Sequence, residues 1–295
     1  TKLADALPAD QAVRCLHGID IDQAALDACA LVLTHDWLKR EPLDQDEVPS
    51  IRFKAVRSRL ICANALEIFT APSQTALFTA ATNPATGDGL PTSFDAILMN
   101  PPFAQTGLLD QETVLSFESL RAASRPSSVN LVWPFWELAA RATSWGGRAG
   151  LVLPLSVTYL DGQVARATRR AVFDRSSWDL RFFDRTPDAL FGDDVKQRIT
   201  LGFKRPGPPG QLRTSAMRRW SADRRAAALH FTPDEGVTYP ATDGRIAKIG
   251  SCCERDALAE LESTGGRLAD GAETLRLASP SELADSERAI AVAPT

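Results

Sequence analysis

The 295-residue sequence lacks several features that would assign it quickly. Its five cysteines are odd in number and contain no Cys-x-x-Cys spacing, which argues against a disulfide framework and a zinc ribbon and favours reduced thiols. No apolar run approaches the roughly 18 to 20 residues that cross a bilayer, so no membrane partner is expected. No basic stretch followed by an apolar segment opens the chain, so the expected location is the cytosol.

Several common enzyme motifs are also missing. The sequence has no phosphate loop ending in Gly-Lys-Ser/Thr, no Gly-x-Ser-x-Gly elbow and no His-Glu-x-x-His. Hydrophobic residues make up 44% and charged residues 24%, which excludes disordered, collagen-like and coiled-coil chains. The length favours about two domains.

Charge is unevenly distributed along the chain. Residues 1–100 carry 8 Lys+Arg against 13 Asp+Glu, whereas residues 164–225 carry 15 against 7. A phosphate-binding surface is one interpretation of this basic block. The other is that the chain simply solvates its surface with arginine, which outnumbers lysine 27 to 6.

The first part of the chain predicts a strand followed by a helix. Residues 16–21 form a short apolar stretch, and Asp22 can cap a helix that begins at Gln23. The apolar residues of this helix recur at the spacing of one buried face, which comprises Leu26, Cys29, Ala30, Leu33 and Trp37.

The same alternation continues downstream. Strands are predicted at 59–63, 94–99, 149–153, 180–184 and 199–203, and helices at 130–144, ending at Gly146-Gly147, and at 161–173. The mostly apolar strand Phe94–Met99 is expected to be buried on both faces of a parallel sheet. The last two strands are close enough in sequence to pair antiparallel at the sheet edge. The prediction is an α/β fold with three layers and a doubly wound, mostly parallel sheet that carries an antiparallel edge hairpin.

The stretch Pro206–Gly210 breaks this pattern and is the predicted linker. It divides the chain into a core, residues 1–205, and a partial C-terminal region, residues 206–295, with one helix at Arg255–Ser263. The stretch from Pro72 to Pro91 is predicted to be a surface loop.

Chemistry concentrates at Asn100-Pro101-Pro102-Phe103, directly after the apolar strand. Ligands of open α/β sheets collect at the carboxyl ends of strands. Two successive prolines remove two backbone donors and fix the chain, so the Asn100 side-chain oxygen and the Pro101 carbonyl form a rigid pair of acceptors. The pair can accept both protons of a planar amine while Phe103 lies against its ring. A rigid turn that merely ends a strand is the alternative.

The sequence resembles the amino-group DNA methyltransferases, in particular the N6-adenine enzymes of restriction-modification systems, over roughly residues 1–205. Their catalytic motif, Asp/Asn/Ser-Pro-Pro-aromatic, is matched by Asn100, Pro101, Pro102 and Phe103. The resemblance implies a Rossmann-like class I methyltransferase core, S-adenosyl-L-methionine as cofactor, and double-stranded DNA with a flipped adenine as substrate. Candidate protein partners are restriction or specificity subunits.

Two further landmarks of that family have counterparts here. The strand end Gly18–Asp22 resembles the family's ribose-binding segment, with Asp20 in the ribose position and Ile21 beside it. Asn64 and Ala65 occupy the place of the family's adenine-binding acid, although an amide replaces the carboxylate. A helix-capping acid and a turn residue are the alternative interpretations of Asp20 and Asn64.

One departure from the family is larger. The Gly-rich loop that approaches the cofactor's methionine end would lie before Thr1, and Thr1–Leu7 resembles the tail of the helix after it. We therefore expect feeble cofactor binding unless another chain supplies this piece. The alternatives are a degenerate, non-catalytic subunit that binds DNA or a partner, and a methyltransferase acting on RNA or on a protein glutamine.

Overall fold

The structure is a computed structural model that describes residues 8–43, 48–69, 91, 93–189, 191, 197–219, 221, 223, 230 and 236–263. Its strands are β1 (Gly18–Asp20), β2 (Leu60–Cys62), β3 (Phe94–Met99), β4 (Thr143–Pro154), β5 (Ser177–Phe183), β6 (Ile199–Arg205), β7 (Gln211–Arg218) and β8 (Val237–Pro240). The loop predicted at residues 72–91 and the helix tail predicted at 1–7 lie outside the described residues, except for Pro91.

Helices alternate with these strands along the first two thirds of the chain. They are α1 (Ala9–Arg14), α2 (Gln23–Arg40), α3 (Pro49–Arg57), α4 (Ala65–Ile68), α5 (Gln111–Ser116), α6 (Glu118–Arg121), α7 (Val132–Ala142), α8 (Ser156–Tyr159), α9 (Gln163–Phe173) and α10 (Cys252–Ser263). Among the described residues no helix is long and apolar enough to span a bilayer.

The α/β class is confirmed, but the sheet is mixed rather than mostly parallel. Strands β1 and β2 pair in parallel as a two-stranded sheet, and the remaining strands form one sheet in the order β3-β4-β6-β5-β7-β8. Within it β3/β4 and β5/β7 are parallel, whereas β4/β6, β5/β6 and β7/β8 are antiparallel. The predicted antiparallel pair β5/β6 is present, but it lies inside the sheet because β7 and β8 extend the sheet beyond β5.

The prediction that β3 is buried on both faces is wrong. Asp95, Ala96 and Leu98 are exposed, and Leu98 is 86% exposed. β3 is the first strand of its sheet and pairs only with β4 among the described residues. An apolar run therefore identified the strand correctly but not its environment.

Strand β4 begins earlier than predicted. Gly146 and Gly147 lie within β4 instead of forming a turn after the helix, which ends at Ala142. At Gly147 an added Cβ would lie 2.9 Å from the Asp95 carbonyl oxygen of β3. Glycine is thus required here by the close approach of a neighbouring backbone, at a register shift between β3 and β4.

The core lies between the six-stranded sheet and the helices packed on it. Trp136 of α7 contacts Trp178 of β5 and Phe173 of α9, with ring centroids 5.7 and 5.8 Å apart in edge-to-face geometry. Helix α2 packs instead against β1, β2 and α3. Its predicted cap is confirmed, since the Asp22 carboxylate accepts a hydrogen bond from the Ala24 amide. Its predicted face is partly wrong, because Cys29 is exposed.

The predicted linker Pro206–Gly210 connects β6 to β7, with positive φ angles at Gly207 and Gly210. Strand β7 pairs with β5 in the same sheet as β6. The division of the chain at residue 206 stays a prediction. The predicted C-terminal helix is present as α10. All five cysteines are free thiols.

Candidate active site

The tetrapeptide Asn100–Phe103 follows directly after β3, as the sequence predicts. Asn100 and Pro102 are exposed, Pro101 is buried and Phe103 is half-buried. Within the described part of the chain no donor reaches the Asn100 side chain or the Pro101 carbonyl. Both oxygens are therefore available as acceptors.

The chain after the tetrapeptide is fixed to the segment before α7. The Leu131 amide donates to the Ala104 carbonyl at 2.8 Å, and the Thr106 amide donates to the Val129 carbonyl at 2.8 Å. The Thr106 hydroxyl donates to the Pro126 carbonyl at 2.6 Å. The tetrapeptide therefore lies between β3 and an isolated antiparallel bridge that pairs Gln105 with Asn130. Further along, the chain between the tetrapeptide and α7 contains α5 and α6.

Phe103 connects the tetrapeptide to the middle of the sheet. It packs against the buried cluster of Phe183 and Ile199, at the end of β5 and the start of β6, and also against the main core. These two residues are directly paired in the sheet. The aromatic member of the motif thus lies on a rigid apolar base.

Asp20 lies at the carboxyl end of the two-stranded sheet and is exposed. One of its carboxylate oxygens accepts a hydrogen bond from the Asp22 amide at 2.8 Å, which fixes the side chain beside its own backbone. Ile21 is 75% exposed beside it. An exposed, oriented carboxylate of this kind can accept hydrogen bonds from a diol.

Asn64 lies at the same end of the small sheet, since β1 and β2 pair with Asp20 opposite Cys62. Its amide oxygen accepts from the Leu66 amide at 3.1 Å and caps α4, which begins at Ala65. Its amide nitrogen donates to Glu67 at 2.9 Å. The structure therefore shows a helix cap at this position, and cofactor contacts by Asn64 and Ala65 stay predictions.

The predicted site residues fall into two groups. Asn100 to Phe103 belong to the six-stranded sheet, whereas Asp20 and Asn64 belong to the two-stranded one. The two sheets adjoin at the starts of β1 and β3, where the rings of His17 and Phe94 meet edge to face with centroids 5.9 Å apart.

An open groove of about 1250 Å³ lies elsewhere, between α5, α6, α7 and α9. None of the predicted site residues lines it. Glu137 lies in its wall, where the carboxylate accepts hydrogen bonds from the Glu118 and Ser119 amides at 2.9 and 3.1 Å and so caps α6. Burial raises the pKa of Glu137. These contacts describe a structural role for Glu137.

Sequence reasoning did not single out Asp184, which lies just beyond β5. Its carboxylate accepts hydrogen bonds from Arg198 at 2.9 Å and from Arg219 at 3.2 Å. The Arg198 hydrogen bond holds the pKa of Asp184 below its usual value. Asp184, Arg198 and Arg219 all lie in the basic block of the sequence. The excess of arginine there indicated a basic surface, but it did not indicate which arginines converge.

Two solved structures resemble the fold. One is a nuclease-deletion mutant of the Type ISP restriction-modification enzyme LlaGI in complex with a DNA substrate mimic, with a TM-score of 0.53 and 14% identity over 77% of this chain. The other is the DrdV–DNA complex, with a TM-score of 0.55 and 12% identity over 83% of this chain. The chain covers only 21% and 26% of those two chains. At these identities the likeness concerns the fold alone.

Comparison with curated protein sequences gives no match. A family model does match, the Eco57I restriction-modification methylase, over residues 14–182. This range includes both groups of predicted site residues and more than half of the chain. The protein therefore belongs to the Eco57I restriction-modification methylase family.

Proposed function

We propose that this chain carries the catalytic core of a DNA methyltransferase that transfers a methyl group from S-adenosyl-L-methionine to the N6 amine of adenine. The observation that carries the proposal is the tetrapeptide after β3, with two available acceptor oxygens and an aromatic ring seated on Phe183 and Ile199. Membership of a methylase family of restriction-modification systems supports the reaction class.

The core is proposed to be a Rossmann-like class I methyltransferase domain. Parallel pairing of β1 with β2 and of β3 with β4 supports this fold. So does the position of Asp20 at the carboxyl end of β1 and of Asn100 directly after β3. The antiparallel strand β6 between β4 and β5 is a departure from a wholly parallel sheet.

In the proposed methyl transfer, the residues of this chain act mainly on the N6 amine of adenine. An adenine amine is a weak nucleophile because its lone pair is delocalised into the ring. Hydrogen bonds from the amine to the Asn100 side-chain oxygen and the Pro101 carbonyl favour a more tetrahedral nitrogen, whose lone pair is then free to react. The adenine must leave the duplex, and Phe103 offers a ring against which the flipped base stacks.

Cofactor binding is proposed at the two-stranded sheet. When bound, S-adenosyl-L-methionine supplies an electrophilic methyl group. Asp20 fits its ribose, because an exposed carboxylate held by the Asp22 amide can accept from both hydroxyls. The Asn64 amide fits the adenine less well, since both of its polar atoms already bond within the turn that starts α4.

That engagement of Asn64 favours a second candidate function. A non-catalytic methyltransferase-like subunit would keep the fold and bind DNA or a partner protein without turnover. The two candidates differ in cofactor binding, which only the enzyme requires. Isothermal titration calorimetry with S-adenosyl-L-methionine separates them, because the non-catalytic subunit gives no heat of binding.

The proposed reaction is tested by transfer of labelled methyl groups to duplex DNA. We expect labelled N6-methyladenine in the digested product, and no incorporation into DNA whose adenines are already N6-methylated. Label recovered only in RNA, or on a glutamine of an added protein, would instead identify one of the other amide or amine methyltransferase classes.

Phe103 provides a matched pair of variants for this assay. Phe103→Ala is expected to reduce methyl transfer by about tenfold or more, since stacking of one base is worth about 1 to 3 kcal/mol. Phe191→Ala removes another partly exposed phenylalanine and is expected to retain activity. Equal activity of the two variants would remove Phe103 from the site.

A further inference from the structure

Four charged residues from three segments of the chain meet where β5 and β7 end and β6 begins in the six-stranded sheet. Strand β5 ends at Phe183, which pairs with Ile199 at the start of β6 and with Arg218 at the end of β7. The residues just beyond these strand ends therefore converge. We call Asp184, Arg185, Arg198 and Arg219 the edge cluster.

Asp184 organises the edge cluster. The residue is only 5% exposed, and its amide donates to the Arg218 carbonyl at 2.8 Å. Its Oδ1 accepts from the Arg185 amide at 2.8 Å and from Arg198 Nε at 2.9 Å, while Oδ2 accepts from Arg219 Nε at 3.2 Å. A buried carboxylate thus fixes two guanidinium groups through their Nε atoms.

The arginine side chains of the edge cluster still face solvent. Those of Arg198 and Arg219 are 53% and 76% exposed. Three arginines against one aspartate leave the edge cluster with a net charge of +2. Guanidinium groups held through Nε keep terminal N–H groups whose planar geometry matches two oxygens of a phosphate.

The edge cluster adjoins the tetrapeptide. Phe103 packs against the cluster of Phe183 and Ile199. Asp184 directly follows Phe183 in the chain, and Arg198 directly precedes Ile199. Strand β4 also ends here, because its last residue Pro154 pairs with Ile199. The edge cluster and Phe103 therefore share the same end of the sheet.

Two other cations of the basic block, Arg169 and Lys204, have internal roles. Arg169 is fully buried and donates to the carbonyls of Val157, Leu160 and Asp243. Lys204 is buried and donates to the Ser144 carbonyl at 2.6 Å. Because these two side chains are buried and bond to backbone carbonyls, they do not account for a phosphate-binding surface.

We propose that Arg198 and Arg219 contact backbone phosphates of duplex DNA beside the base that stacks on Phe103. This inference rests on the proposed function for its choice of DNA, and it assigns the backbone contacts of that site. Fixed phosphates are needed where a base leaves the helix, because they hold the register of the DNA without reading its sequence. Asp184 acts as a positioning residue that keeps the two guanidinium groups in place.

The test measures the salt dependence of duplex binding. A fluorescent 30-base-pair duplex containing adenine is titrated with protein at about 50 to 300 mM NaCl, without cofactor. Each phosphate contact contributes about 0.9 to the slope of log K against log salt. Arg198→Gln with Arg219→Gln is expected to lower the magnitude of the slope by about 1.8, and Arg219→Gln alone by about 0.9.

The matched control is Arg166→Gln with Arg170→Gln, which removes the same charge from exposed positions on α9. These two arginines are 50% and 66% exposed and pair with Asp161 and Asp243. The control is expected to leave the slope unchanged. The single Arg219 variant keeps the Arg198–Asp184 pair, so the test does not depend on the double variant folding.

The outcomes separate this inference from the proposed function. Equal slopes for the edge cluster variants and the wild type would overturn the inference, and so would an equal loss in the control. The inference would also be overturned if the edge cluster variants lost binding to a single-stranded RNA while their binding to the duplex was unchanged. Absence of methyl transfer by the wild type, together with the expected slopes, would overturn the proposed reaction alone.

Discussion

Phe103 packs against the buried cluster that Phe183 forms with Ile199, which joins the end of the Asn-Pro-Pro-Phe tetrapeptide to the end of β5 and the start of β6. The contact places the candidate site where β4 and β5 end and β6 begins. It also brings the site next to Asp184 and its arginines.

Arg169 is expected to be a major contributor to stability. Arg169→Ala removes hydrogen bonds to three carbonyls from a fully buried side chain, and we expect the free energy of unfolding to fall by about 3 kcal/mol. Arg170→Ala, which removes an exposed arginine, is expected to cost about 1 kcal/mol or less. Urea denaturation of both variants checks this difference. Similar losses would contradict the structural role of Arg169.

Asp184 is expected to make the protein sensitive to acid. Its pKa is lowered mainly by the hydrogen bond from Arg198, relative to an ordinary value of 3.8. The ionised carboxylate therefore stabilises the fold above its unfolded pKa, and this contribution is lost as the pH falls through the folded pKa. Asp184→Asn should be less stable at neutral pH and should lose less stability on acidification.

Denaturation at a series of pH values from about 7 to about 3 measures this effect. Asp95→Asn serves as control, because it neutralises an exposed carboxylate on the edge strand β3. An acid dependence identical in wild type and Asp184→Asn would show that the arginines do not favour the ionised form.

Asp20 and Asp22 are two residues apart and are expected to behave differently. Asp20→Ala should weaken S-adenosyl-L-methionine binding by about tenfold or more, since a hydrogen bond to a charged group is worth about 1.5 to 3 kcal/mol. Asp22→Ala removes the α2 cap and should cost about 1 kcal/mol of stability while leaving cofactor affinity unchanged. Calorimetric titration compares the two, and equal affinities would place the ribose elsewhere.

Local features were predictable from the sequence. The Asp22 cap, the start of α2 and the end of α9 depend on residues within one or two turns, and the structure agrees with them. The position of Asn100 after a strand was predictable for the same reason. The antiparallel pairing of β5 with β6 followed from their short separation.

Features that depend on distant residues were not predictable. Gly147 was interpreted as part of a helix stop, yet the Asp95 backbone excludes a larger side chain there. The exposure of β3 depends on its place at the edge of the sheet, which its apolar sequence does not encode. Strands β7 and β8 were missed, so the β5–β6 pair was assigned to the edge. The arginines gathered by Asp184 are separated by many residues and meet only through strand pairing.

The central claim is that Asn100 and Pro101 accept hydrogen bonds from the amine that becomes methylated. Asn100→Ala removes one acceptor and is expected to lower kcat for methyl transfer to duplex DNA by about 100-fold or more, with cofactor affinity and thermal stability unchanged. Asn100→Asp retains an acceptor oxygen and is expected to keep more activity than Asn100→Ala. A wild-type rate of methyl transfer in Asn100→Ala would contradict the account.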